Sequence, residues 1–122
     1  MQVPADHLGE IISGTAFLLT GDIMAKAERR LVQRAGARLS STVLFAPHHG
    51  SRTSSSADLI AAVEPEMVVI SAGADNRFGF PHGEVLDRYR DAGCRIFCTC
   101  TLGAISFSSN GKRIGWRSWA TP

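Results

Sequence analysis

Hydrophobic positions along the chain fall into short runs separated by amphipathic or polar stretches, and each run has recognisable punctuation. "GTAFLLT" (14–20) is a compact apolar run bounded by glycines, which predicts a buried strand ending at Gly21 and Asp22. "MAKAERRLVQRAG" (24–36) then places Ala27, Leu31 and Ala35 at spacing four with Val32 beside them. That predicts an amphipathic helix with its arginines outside and Gly36 as its stop. "TVLFA" (42–46) predicts a second strand closed by Pro47, and "DLIAAV" (58–63) a short helix capped by Ser56, with Asp58 in its first turn.

The same alternation continues to the end of the chain. "EMVVISAG" (66–73) predicts a third strand, and Val85, Leu86, Tyr89 and Ala92 form the apolar stripe of a helix that stops at Gly93. "RIFCT", "GAISFS" and "RIGWRSW" predict three further strands, the last two joined through the hairpin turn at Asn110 and Gly111. The order β-α-β-α-β-α-β-β-β predicts an α/β layered fold with a mixed sheet. No internal repeat or linker divides it. Residues 14–122 are expected to form the domain, with residues 1–13 a poorly ordered segment that has little to bury.

Composition narrows the class without naming it. A 122-residue chain with 44% hydrophobic and 20% charged residues suits one globular domain, so disorder is not the default. No apolar run approaches the roughly 20 residues that span a bilayer, and the first residues lack the pattern of a signal peptide. A formal net charge of +2 is too small to predict nucleic-acid binding by itself, although arginine supplies eleven of the thirteen basic residues and suits bidentate phosphate contact. Cys94, Cys98 and Cys100 are an odd set, which argues against a closed disulfide framework, and as a zinc site they are one ligand short. Their expected role is as small hydrophobes in a strand, with Cys98 and Cys100 on one face. Trp116 and Trp119, in a basic final strand, are expected to pack on a sheet rather than to stack on nucleic acid.

Candidate chemistry collects in the loops after the first three strands. Thr20, Gly21 and Asp22 follow the first, and Pro47, His48, His49 and Gly50 the second. The third leads into "ADNRFGFPHG" with Arg77 and His82. Ligands of open α/β sheets gather where such loops converge, so one carboxylate and up to three imidazoles are expected to meet there. Asp and His suit Zn²⁺ or Mn²⁺. Read singly, Asp22 is an ordinary helix cap, His82 a solvated turn residue and "SRTSSS" (51–56) a flexible loop leading to a cap. The paired histidines are harder to dismiss, and spacing alone leaves a metal site and a polar turn both open.

Four stretches in order settle a resemblance. "LLTGDIMAKAERRLV", "VLFAPHHGSRTSSS", "VVISAGADNRFGFPHGEVLDRY" and "LGAISF" together resemble the C-terminal metallo-β-lactamase-like domain of bacterial DNA-internalisation competence proteins, the ComEC family, from about Gly14 to about Trp116. The resemblance implies the C-terminal half of an αββα sandwich, with helices on one face of its mixed sheet. It implies a soluble, extracytoplasmic domain of a bacterial inner-membrane protein that takes up DNA, and a metal-dependent nuclease acting on the strand that is not imported.

In that frame Asp22 takes the place of the bridging metal carboxylate and His48 that of a late histidine ligand. His49 ligates or contacts substrate, and His82 is the second histidine of a His-Pro-His element. Ser51, Arg52, Thr53 and Arg77 then lie where phosphate contacts are expected. Two ions, Zn²⁺ or Mn²⁺, would activate water for attack on phosphorus.

Two departures qualify the picture. Phe80 stands where the element has its first histidine, and no His-x-(His/Asp)-x-Asp-His cluster occurs in the chain. The chain is therefore expected to be a portion of a larger domain, inactive by itself, and metal-free is one outcome for it. Its expected partners are DNA, the missing N-terminal half, the membrane channel of the parent and, with one sheet face bared, a second copy of itself. The alternatives are a non-catalytic DNA-binding or bracing domain, or a metallo-hydrolase of another substrate class.

Overall fold

The structure, a computed structural model, describes residues 2–3 and 15–119. Its strands are β1 (Gln2–Val3), β2 (Phe17–Leu19), β3 (Val43–Phe45), β4 (Met67–Ile70), β5 (Arg95–Cys98), β6 (Ile105–Ser109) and β7 (Ile114–Ser118). Its helices are α1 (Ala25–Ala35), α2 (Ala57–Val63), α3 (Gly83–Asp91) and the single turn α4 (Thr99–Leu102). Strands β1 to β5 form one sheet in chain order, with β1 antiparallel to β2 and the other pairs parallel. The sheet is thus mixed, as expected, but its antiparallel pair is made by β1, which the predicted element order did not contain. Apart from Gln2–Val3, the segment 1–13 expected to be poorly ordered lies outside the described residues.

Register explains how the core is divided. Leu18, Leu44, Val68 and Ile96 lie abreast across β2 to β5, and so do Leu19, Phe45, Val69 and Phe97 one residue further on. Successive strand residues face opposite sides, so the first row turns to one face and the second to the other. Leu18, Leu44, Val68 and Ile70 pack with Leu59, Ile60 and Val63 of α2 and with Val85 and Tyr89 of α3, while Leu31, Val32 and Ala35 of α1 lean against this cluster. Each fully buried Val or Leu contributes roughly 1.5–3 kcal/mol, so the seam between sheet and helices dominates stability.

The opposite face is covered only in part. β6 and β7 pair with each other as a separate two-stranded sheet instead of extending the main one. The hairpin reaches the main sheet through Phe107, whose ring meets Phe17 and Phe97 edge-on, and through Trp116, 4.7 Å from the Phe97 ring. Trp116 and Trp119 nonetheless remain 41% and 51% exposed.

Three local expectations are corrected. Asp22 does not cap α1: Met24 occupies that position and makes no side-chain cap bond. Ala27 is exposed and Glu28 is buried, so the inward stripe of α1 carries a carboxylate. Cys98 ends β5, and Cys100 lies in α4, linked to Cys98 by a disulfide. Residues two apart in a strand have Cα atoms about 6.6 Å apart; the turn into α4 shortens this to 5.1 Å, within the bonding range. Ser56 does cap α2, accepting from Leu59 N–H at 3.2 Å.

Candidate functional site

The site is built by the loops at the C-terminal ends of β2, β3 and β4. After β3, Pro47 begins a tight 3-10 turn to Gly50, and His48 (φ 49°) and His49 (φ 55°) both adopt left-handed backbone. Non-glycine residues pay for that conformation, so the turn persists because its surroundings hold it. His48 N–H donates to Gly21 O at 2.8 Å, which fastens the turn to the loop carrying Asp22. Ser54 Oγ donates to Pro47 O at 2.8 Å from the other side.

This placement brings His49 to Asp22. His49 Nε2 lies 3.3 Å from Asp22 Oδ1, with both side chains substantially exposed. The other ring nitrogen, Nδ1, lies 2.7 Å from Ser71 O. A carbonyl only accepts, so Nδ1 carries the proton, and in the neutral ring Nε2 is a lone pair facing a carboxylate. A cation between the two acceptors reconciles them, either a proton on Nε2 or a metal ion. A histidine whose second nitrogen donates to a backbone carbonyl is the usual arrangement of a metal ligand. A 3.3 Å donor separation also matches two ligands of one tetrahedral zinc with bonds of about 2.0 Å.

The remaining candidate residues separate into distinct surroundings. His48 Nδ1 lies 2.9 Å from Ser51 Oγ, and its ring is 6.4 Å from that of His49 and 5.9 Å from Phe80. His82 meets Phe80 edge-on at 5.5 Å and sits at the start of α3, its N–H bonded to Gly50 O. Ser51 is buried, while Arg52 and Thr53 are exposed. Arg52 is engaged by Glu84 at 2.8 Å, and Arg77 lies over Phe78. Among the described residues no group of three or more His, Cys, Asp or Glu is arranged to hold a metal ion. By donor type the Asp22–His49 pair suits a divalent ion, but two donors do not make a metal centre.

Glu28 is the residue that sequence reasoning missed. Fully buried, it accepts Ser55 N–H at 2.6 Å and Ser56 N–H at 2.8 Å. Arg88 donates to Ser54 O and Ser55 O, and Tyr89 O–H donates to Ser55 Oγ at 2.7 Å. The serine stretch is therefore a clamped support for the histidine turn, not a loose loop. A charged residue one place from an apolar stripe was the available signal.

No helix among the described residues is long and apolar enough to cross a membrane. No protein-family model matches the chain, and no solved structure matches it. Curated proteins do. Over 97 residues, 80% of this chain, it is 41% identical to "Competence protein ComA" of Neisseria gonorrhoeae, of which it spans 14%. Over 94 residues, 77% of the chain, it is 32% identical to "ComE operon protein 3" of Bacillus subtilis, of which it spans 12%. Over 71 residues it is 42% identical to "Recombination protein 2" of Haemophilus influenzae, spanning 9% of that protein. The chain thus corresponds to a small part of each of these relatives.

Proposed function

We propose that this chain is the C-terminal portion of a metallo-β-lactamase-like domain in a membrane protein for DNA uptake, and that Asp22 and His49 are its share of a metal-dependent phosphodiesterase site. The competence-related names of its relatives support the uptake role. The metal reading is carried by one observation: His49 donates Nδ1–H to Ser71 O while its Nε2 faces the Asp22 carboxylate. His48, whose ring stands beside that pair, is the next donor available to an ion. Other ligands would come from a segment of the parent outside this chain, and a bound Zn²⁺ or Mn²⁺ would activate water and stabilise charge on a phosphate. Within this chain, Ser71 orients His49 and the Gly21–His48 bond holds the two loops together.

The test is DNA cleavage by the full-length parent carrying Asp22→Ala or His49→Ala, with metal content measured on the same samples. Both variants are expected to lose bound metal and nuclease activity. Undiminished cleavage by both sinks the enzymatic reading. A second reading, a non-catalytic DNA-binding or bracing domain, is favoured by Phe80 in the place of a family histidine. It predicts metal-free parent protein and DNA uptake unaffected by either variant.

A further inference from the structure

The loop after β4 carries two aromatic rings that the core does not use. Phe78 is 58% exposed, yet its ring lies nearly parallel to Phe80, 21° between planes and 5.4 Å between centres. The arrangement is held from beneath. Asn76 Nδ2 donates to Phe80 O and Gly73 O, and Asn76 Oδ1 accepts Phe80 N–H at 2.9 Å. The Phe80 ring also lies 5.9 Å from that of His48 and 5.5 Å from that of His82. Phe78 is thus presented to solvent on a fixed support, with the Arg77 guanidinium 5.0 Å from its ring centre. Beside it is a cleft of about 490 Å³ whose lining includes Phe78, Phe80, Ala72, Gly73 and His49.

A rigid, exposed aromatic plane, an adjacent guanidinium and a cleft leading to a carboxylate–imidazole pair are the parts needed to receive a flat heterocycle attached to a phosphate. Bases within a duplex are already stacked on both sides, so only an unpaired base can use such a plane. We infer that Phe78 and Phe80 form a stacking subsite for one unpaired nucleobase of a DNA strand, with Arg77 at its phosphate. The substrate at this site is then single-stranded DNA or a frayed end. This rests on the DNA reading above and adds the form of the DNA.

The test uses a short single-stranded oligonucleotide bearing 2-aminopurine, whose fluorescence is quenched by stacking, titrated with the 122-residue chain. An oligomer of abasic sugars and a duplex of equal length serve as comparisons. Quenching is expected, with affinity about tenfold above that of the abasic oligomer and of the duplex, the range typical of one base stacked on an aromatic side chain. Phe78→Ala, at an exposed position, is expected to remove the quench and lower affinity to the abasic level, while Phe78→Trp retains both.

Phe78→Ala binding and quenching as the unaltered chain does would overturn the subsite and leave the exposed ring to be covered by another part of the parent. Equal binding of normal and abasic oligomers would overturn stacking and leave the DNA reading standing. Absence of binding to every oligomer would overturn both.

Discussion

Glu28, wholly enclosed on α1, holds the backbone N–H groups of Ser55 and Ser56 with its two carboxylate oxygens. The pairing joins the helix that follows the Asp22 loop to the stretch that follows the His49 turn. Glu28→Ala would leave two N–H groups in a closed space without acceptors, at roughly 1–3 kcal/mol each. Urea unfolding is expected to register a loss of about 3 kcal/mol, and Glu28→Gln, which keeps one acceptor oxygen, a smaller one. A loss below about 0.5 kcal/mol for the alanine variant, within the range of ordinary surface changes, would show that the clamp is dispensable.

Tyr89 closes the other side of that loop, and its titration reports on it. Burial raises its phenol well above the ordinary value of 10.0; the hydrogen bond between Tyr89 O–H and Ser55 Oγ opposes this, and the charges of Glu28 and Cys94 add to it. A raised pKa means that the folded chain keeps a proton the unfolded chain releases. Stability from this group is therefore whole below pH 10.0 and falls as pH rises above it. Tyr89 is the only tyrosine in the chain, so phenolate absorbance is unambiguous. After a jump to about pH 11, where a free phenol is mostly ionised, the absorbance is expected to grow at the rate of unfolding. A full signal within the mixing time would mean that the Tyr89 hydroxyl is open to solvent.

The cysteines give a chemical check on the chain after β5. Cys94 is buried, its Sγ donates to Pro65 O at 3.3 Å, and burial pushes its thiol above the ordinary value. The thiolate is the reactive form, so alkylation at neutral pH is expected to be slow until the chain is unfolded. With Cys98 and Cys100 joined, unfolding without reductant should expose one reactive thiol per chain, and unfolding with reductant three. Three thiols without reductant would place the native protein in its reduced form.

The periodic parts of the fold were legible because one repeating constraint set each residue. Leu18, Leu44 and Val68 face the helices for the reason that makes their runs apolar, and α2 begins at Ser56 because a hydroxyl there satisfies a free N–H. What escaped were contacts between elements with no pattern in the chain. Glu28 stands at helical spacing from Leu31, Val32 and Ala35, which hints that it faces inward, but its partners do not show in the chain; its role exists only because the serine loop folds over α1. The candidate site divides in the same way. Asp22, His48 and His49 stood out by type and by their loops, but which histidine meets Asp22 depended on the left-handed turn, and that turn swings His49 rather than His48 toward the carboxylate. Phe80 read as a lost polar group, and its stacking with Phe78 was invisible because both lie in a loop without periodicity.

Gly50 links the histidine turn to the aromatic loop, and it does so by lacking a side chain. A Cβ added there would lie 2.7 Å from Pro81 Cβ and 3.1 Å from its Cα, while Gly50 O accepts His82 N–H at 3.1 Å. Gly79 offers a matched comparison in the same neighbourhood. Both glycines have positive φ, +78° and +68°, but the nearest atom to a Cβ at Gly79 is His82 Cε1 at 4.0 Å. Gly79→Ala should thus incur only the backbone cost of about 1–2 kcal/mol. Gly50→Ala adds the collision with Pro81, which is relieved only if the 80–82 segment moves away from the turn. It is expected to destabilise the chain by more than Gly79→Ala does, and to shift the resonances of Phe80 and His82 together with those of His48 and His49. Equal losses from the two substitutions, with His48 and His49 unperturbed, would show that the aromatic loop and the histidine turn are held in place independently.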